Sequence, residues 1–222
     1  PRTDNVYRVP LLIVTSIVNQ PYILDLVPGQ SMVEYLLDAG FDVYMVEWGR
    51  PRHEHRELTL EDLVLDRLPR CVDRVLEHSG EKELSIIGYC LGGFLSVLYA
   101  SLHPKAPIRN FVAMAAPVDS DGLVSLKSWM GPDFDEEALL EHYGNVPAYW
   151  VHNALRALRP FGNMAGSASL LNNVDNDDAV KSNLRMGQWE TANIPFPGGV
   201  FKQLVRDFLR DVTVPGADGA PV

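Results

Sequence analysis

Cys90 stands between two glycines in "SIIGYCLGGFL", residues 85–95. A cysteine on its own reads as a small buried hydrophobe. Gly88 and Gly92 change that reading, because Gly-x-Cys-x-Gly between an apolar strand and a helix is the nucleophile-elbow pattern with cysteine in the serine's place. At such an elbow the chain turns so sharply that the nucleophile is strained. Side chains two positions to either side would collide with the neighbouring strand or helix, which accounts for both glycines. Leu84–Ile87 reads as the strand and Leu91–His103 as the helix.

A cysteine at a helix start faces unpaired backbone N–H groups and the positive end of the helix dipole, which is expected to stabilise a thiolate and lower its pKa. One oxyanion donor is the amide after the nucleophile, here Leu91, and the other comes from the loop after an earlier strand. That loop is "TSIVNQPY", where the Val18 amide is assigned first and Ile17 next. An acyl group carried on sulfur keeps thioester reactivity, so a cysteine elbow suits acyl transfer from a coenzyme A thioester, which enters as substrate; no bound cofactor is expected.

The nucleophile needs a base and an orienting acid, which in elbow folds follow it in the order acid, then histidine. Asp119 follows the strand Ile108–Ala115 in "AAPVD", one of two places where such a fold mounts its acid; the competing reading is a cap of the next segment. None of the six histidines fits the base. His53, His55 and His78 precede or lie far from a strand end, His103 is at the far end of the elbow's own helix, and His142 and His152 fall in a later helical region.

These groups need a scaffold, and the 222 residues, 46% of them hydrophobic, can bury one domain's core. Strands are expected at Val9–Val14, Phe41–Glu47, Leu84–Ile87 and Ile108–Ala115, each apolar enough to be buried on both faces. Between them, a capping box of Ser31 and Glu34 starts a helix ending near Gly40, and Thr59 with Asp62 starts another running to His78 before Gly80. Strand alternating with helix implies an α/β fold with a parallel sheet. The core is assigned to 1–119 and an inserted helical cap to 120–211, with 212–222 as a loop.

Nineteen basic against 29 acidic residues give a net charge of -10 without a basic block, which argues against nucleic acid and anionic membrane surfaces as partners. Cys71 and Cys90 make no disulfide framework and no zinc spacing, so no metal is expected and a reducing cytoplasm fits. The longest apolar run, Val9–Val18, is strand-sized rather than membrane-spanning, and no signal peptide is read. The chain opens at Pro1 and closes in "TVPGADGAPV", from which an excerpt of a longer protein is expected.

Three stretches together resemble the polyhydroxyalkanoate synthases, of α/β-hydrolase fold: "PLLIVTSIVNQPYILDLVPGQSMVEYLLDAGFDVYMVEWG" (10–49), "GYCLGG" (88–93) and "MGQWETANIPFPGGVFKQLVRDFL" (186–209). The resemblance covers nearly the whole chain. It implies that Cys90 accepts a 3-hydroxyacyl group from coenzyme A and carries the growing polyester, with coenzyme A released. It also implies a homodimer or hetero-oligomer, a granule surface in the cytoplasm, and a catalytic aspartate and histidine in "DHIVP"-like and "GH" motifs, which these 222 residues do not contain. Trp129, Phe134, Tyr149, Trp150, Trp189 and Phe196 would line a water-excluding passage, unless they simply pack the cap on the core. Dienelactone hydrolases, with a similar cysteine elbow, are the rival resemblance, so a cysteine-dependent hydrolase of esters, lactones or thioesters stands beside the polymerase. A non-catalytic α/β module is the third reading.

Overall fold

A computed structural model describes residues 6–120, 123, 126, 130–131, 133–158 and 170–210. Trp129 and the expected loop 212–222 lie outside them. Four parallel strands form the sheet: β1 (Leu11–Val14), β2 (Val43–Val46), β3 (Leu84–Tyr89) and β4 (Ile108–Met114), in the order β2-β1-β3-β4. Helices α1 (Met32–Asp38), α2 (Leu68–Ser79) and α3 (Leu91–Leu102) make the connections. The α/β fold expected from the alternating pattern is the one observed.

The expectation that all four strands are buried on both faces holds for β1 and fails for β4. Leu11–Val14 is buried throughout, whereas Arg109–Ala113 is exposed. The cause is position: β1 is flanked by β2 and β3, while β4 is the outer strand of the described sheet and packs on β3 and α3. Apolar composition alone cannot separate a central strand from an outer one.

The helix starts also differ from expectation in one detail. Ser31 Oγ accepts the Glu34 N–H at 2.8 Å and donates to Asp25 at 2.6 Å, but the Glu34 carboxylate takes the Gly29 N–H at 2.7 Å instead of returning to Ser31. The reciprocal box forms at the second helix, where Thr59 N–H reaches Asp62 at 2.9 Å and Asp62 N–H reaches Thr59 Oγ1 at 3.2 Å. A π-helical stretch, Asp62–Arg67, leads from there into α2, which ends at Gly80 with φ +75°.

Beyond residue 130 the described chain carries α4 (Glu136–Tyr143), α5 (Ala148–Ala157), α6 (Asp177–Thr191) and α7 (Gly198–Gln203), which continues as a π-helical stretch to Arg210. The pattern did not show a two-way backbone bridge between Val146 and Phe196, 2.9 Å in each direction. Val200, Phe201, Leu204 and Val205 share one buried cluster with Leu63, Val64 and Leu68 of the α2 segment and Leu12 and Val14 of β1. No described helix is long and apolar enough to cross a membrane.

Glu136 fastens this region to itself. Its side chain is 5% exposed, 2.8 Å from Arg206 and 2.9 Å from Arg210. Burial pushes its carboxyl up, but the Arg206 hydrogen bond and the Arg210 charge outweigh that and hold it below the usual glutamate range. A carboxylate with a depressed folded-state pKa stabilises above its unfolded value and loses that contribution as the pH falls below about 4. Glu136→Gln is expected to lower stability at pH 7 by about 2 kcal/mol, because both arginines are partly solvated. It is also expected to flatten the acid limb of stability against pH, as checked by urea unfolding between pH 7 and 3.

Candidate active site

The strand order reverses between β1 and β3, and open α/β sheets bind ligands at the carboxyl ends of the strands at such a point. Cys90 lies there, between β3 and α3, with φ +53° and ψ -128°. A non-glycine residue in that region is strained. The surrounding hydrogen bonds hold it: Cys90 N–H donates to Met114 O at 3.0 Å, and Cys90 O accepts from Gly93 and Phe94 at 2.9 and 3.2 Å. Ala115, which follows β4, is the other described non-glycine residue with positive φ, at +49°, and it borders the same cavity as Cys90.

The turn closes because three glycines leave room for backbone. A Cβ on Gly88 would come within 2.5 Å of Gly93 Cα, and one on Gly92 would fall on the Val14 and Thr15 carbonyls. One on Gly93 would reach 2.5 Å from Ala116 Cβ. The role of Gly93 was missed in the sequence; the doubled glycine was its only signal.

Val18 and Leu91 border the same cavity as Cys90. Val18 N–H points to Ser16 Oγ at 3.4 Å. The Ile17 side chain borders a different, smaller cavity with Trp48 and His55. The loop that carries Val18 is held from both sides. Thr15 Oγ1 donates to Val46 O at 2.7 Å and Trp48 Nε1 to Thr15 O at 2.8 Å. From the helical region, Ile194 N–H donates to Val18 O at 3.1 Å, Asn193 Oδ1 accepts from Asn19 Nδ2 at 2.6 Å, and Trp189 Nε1 donates to Gln20 O at 2.8 Å.

The cavity over Cys90 has a volume of about 310 Å³ and an almost wholly apolar wall. Phe134, Trp150 and Phe196 line it as expected, together with Phe94, Phe201 and Phe208. Tyr149 and Trp189 do not: the Tyr149 hydroxyl donates to that of Tyr143, and Trp189 is engaged with Gln20.

The expected lowering of the thiol pKa is not what this environment produces. Burial pushes the Cys90 thiol up, and the Leu91 amide and Ser16 hydroxyl pull against it without overcoming it. Removing a small anion from water costs more here than the Leu91 amide at the helix start and the Ser16 hydroxyl of the loop after β1 return. Asp119 is exposed and is not among the described residues that line the cavity, and neither is any histidine. His152 is held instead by Glu190 O at 2.8 Å, and His103 by Tyr99 O at 3.0 Å. Ser16 and the Asn19–Asn193 pair are the polar groups that the sequence did not reveal.

Residues 9–218 match the family model described as alpha/beta hydrolase fold, and the chain belongs to that family. Within it, the chain is similar to the poly(3-hydroxyalkanoate) polymerase subunit PhaC of several organisms, in agreement with the resemblance read from the sequence. The Haloferax mediterranei subunit is 37% identical over 93% of this chain and 42% of its own. That of Allochromatium vinosum is 35% identical over 91% of this chain and 57% of its own, and that of Synechocystis sp. 34% over 95% and 57%. The chain thus spans about half the length of the curated relatives it matches. A solved carboxylesterase structure from Nitrososphaera gargenis aligns with 84% of this chain and 59% of its own at 22% identity and a TM-score of 0.42, too loose a likeness to bear on function.

Two outcomes are expected from this geometry. Gly92→Ala forces β1 and α3 apart and lowers the unfolding free energy by about 2 kcal/mol or more, as measured by urea titration. Alkylation of Cys90 by iodoacetamide, followed by peptide mass spectrometry, continues to accelerate above pH 9, past the usual thiol midpoint of about 8.5.

Proposed function

We propose that this chain carries the nucleophile of an acyltransferase that polymerises 3-hydroxyacyl groups from coenzyme A thioesters into a polyester. The observation that carries the reading is a strained cysteine at the floor of an apolar cavity, in a chain similar over most of its length to poly(3-hydroxyalkanoate) polymerase subunits. In this reading the turn at Cys90 is a nucleophile elbow. The Cys90 sulfur attacks the thioester carbonyl carbon, and the Leu91 and Val18 amides hold the oxyanion. Carbon–sulfur cleavage then releases coenzyme A, which takes up the proton that left Cys90. A hydroxyl of a second hydroxyacyl unit attacks the carbonyl carbon of the new thioester; the ester C–O bond forms as the carbon–sulfur bond to Cys90 breaks, and the hydroxyl proton passes to the Cys90 sulfur.

The raised thiol pKa requires a base for the first step, since little thiolate exists at neutral pH. We propose that the base and its acid come from chain outside these 222 residues, and that Asp119 serves as neither. The apolar wall supports transfer over hydrolysis: it keeps water from an acyl sulfur while a hydroxyl-bearing chain end is admitted. Action in the cytoplasm at a polyester granule surface, as part of a homo- or hetero-oligomer, completes the proposal.

The test is intact-mass analysis of the full-length protein after exposure to 3-hydroxybutyryl coenzyme A, beside Cys90→Ala. A covalent hydroxybutyryl adduct that vanishes in the alanine variant is expected. Sizing the products of the full-length protein then separates transfer from hydrolysis: released coenzyme A with polyester supports the proposal, whereas coenzyme A with an equal amount of free hydroxy acid overturns it.

A further inference from the structure

β1 and β3 run parallel with Val14 opposite Gly88 as their last pair, and Ser16 and Cys90 each follow two residues further along the chain, just past the paired residues. The close packing of Gly92 on the Val14 and Thr15 carbonyls brings the two ends together. Ser16 is 3% exposed, and its Oγ accepts the Val18 N–H at 3.4 Å. A hydroxyl has one hydrogen and two lone pairs. The amide occupies a lone pair, which leaves the hydrogen to give. The neighbouring buried hydroxyls have spent theirs: Thr15 Oγ1 donates to Val46 O at 2.7 Å and Ser96 Oγ to Gly92 O at 2.7 Å. Ser16 has no carbonyl acceptor among the described hydrogen bonds, and its hydroxyl is one of the two groups that draw the Cys90 thiol pKa down against burial.

We infer that Ser16 is a positioning residue for Cys90: its hydroxyl accepts from the Val18 amide and donates to the sulfur, so that nucleophile and oxyanion donor are aligned before a substrate arrives. The inference rests on the reading of Cys90 as the nucleophile. The Val18 bond is long, hence weak, and a carbonyl oxygen gaining negative charge is the stronger acceptor. Substrate therefore exchanges with Oγ at the Val18 amide, while the hydroxyl hydrogen stays on the sulfur until the carbon–sulfur bond forms. A thioester sulfur is a poor acceptor, and the hydroxyl then loses its hold on it. Ser16 makes and breaks no covalent bond in this scheme.

The test is the pH profile of Cys90 alkylation by iodoacetamide in the parent chain, Ser16→Ala and Ser16→Thr, read on the Cys90 peptide with Cys71 as internal control. Loss of a hydrogen bond to the thiolate is expected to slow alkylation at pH 8.5 by about three- to tenfold in the alanine variant and to move the profile to higher pH. The Cys71 rate should not change, and threonine, which keeps the hydroxyl, should restore the parent profile. An alanine profile that superimposes on the parent overturns the inference, and so does a threonine profile that matches alanine. Should the alanine variant not fold by circular dichroism, Ser16→Gly provides the same comparison. Alkylation needs no acyl substrate, so failure of Cys90 to take a hydroxybutyryl group would overturn the enzymatic proposal and leave this result readable.

Discussion

The site depends on one close approach, that of α3 to the end of β1. Gly92 lies so near the Val14 and Thr15 carbonyls that no side chain fits between them. This contact, with the parallel register of Val14 and Gly88, puts Val18, Cys90 and Leu91 around one cavity, with Ser16 in the loop beside them. The cavity is also where the chain reverses the order in which it adds strands, so the crevice there is a consequence of topology. The strain at Cys90 is sustained by its backbone bonds to Met114, Gly93 and Phe94, which fix the residue on both sides of the turn.

The helical region is part of the same construction. Its residues from Val200 to Val205 are buried with the sheet and α2, and its segment 189–194 bonds directly to the loop that carries Val18. The buried Asn19–Asn193 bond joins the two segments: without Asn193 the buried Asn19 amide would lose this partner at a cost of about 1–3 kcal/mol, whereas Asn193 Nδ2 also donates to Glu190 O at 2.9 Å. The wall of the cavity and the conformation of the loop that carries Val18 are therefore coupled mechanically.

Enclosure has opposite effects on the two halves of the proposed chemistry. An apolar cavity suits the proposed acyl group on sulfur and its aliphatic chain, but it also withholds the solvation that a thiolate needs. The Leu91 amide and Ser16 hydroxyl offset part of that penalty, and a base must supply the rest. Sulfur is suited to this compromise because it remains nucleophilic when only a small fraction is ionised.

Much of the scaffold was legible in the sequence because its causes are local. Apolar runs located the four strands, Thr59 and Asp62 marked a helix start, and the glycines on either side of Cys90 marked a strand-to-helix turn, since each pattern acts over a few neighbouring residues. What was misread or missed involves partners far apart in the chain. Burial of β1 against exposure of β4 depends on sheet order, which strand composition does not encode. Asn19 meets Asn193 across 174 positions, Ser16 is brought towards Cys90 only by the pairing of β1 with β3, and the raised thiol pKa sums the burial contributed by several elements. The amino-acid sequence by itself determined where the chain turns and which residue sits at the strained position. Only the tertiary structure decided what surrounds that residue, because desolvation and long-range hydrogen bonds exist only once distant segments have packed.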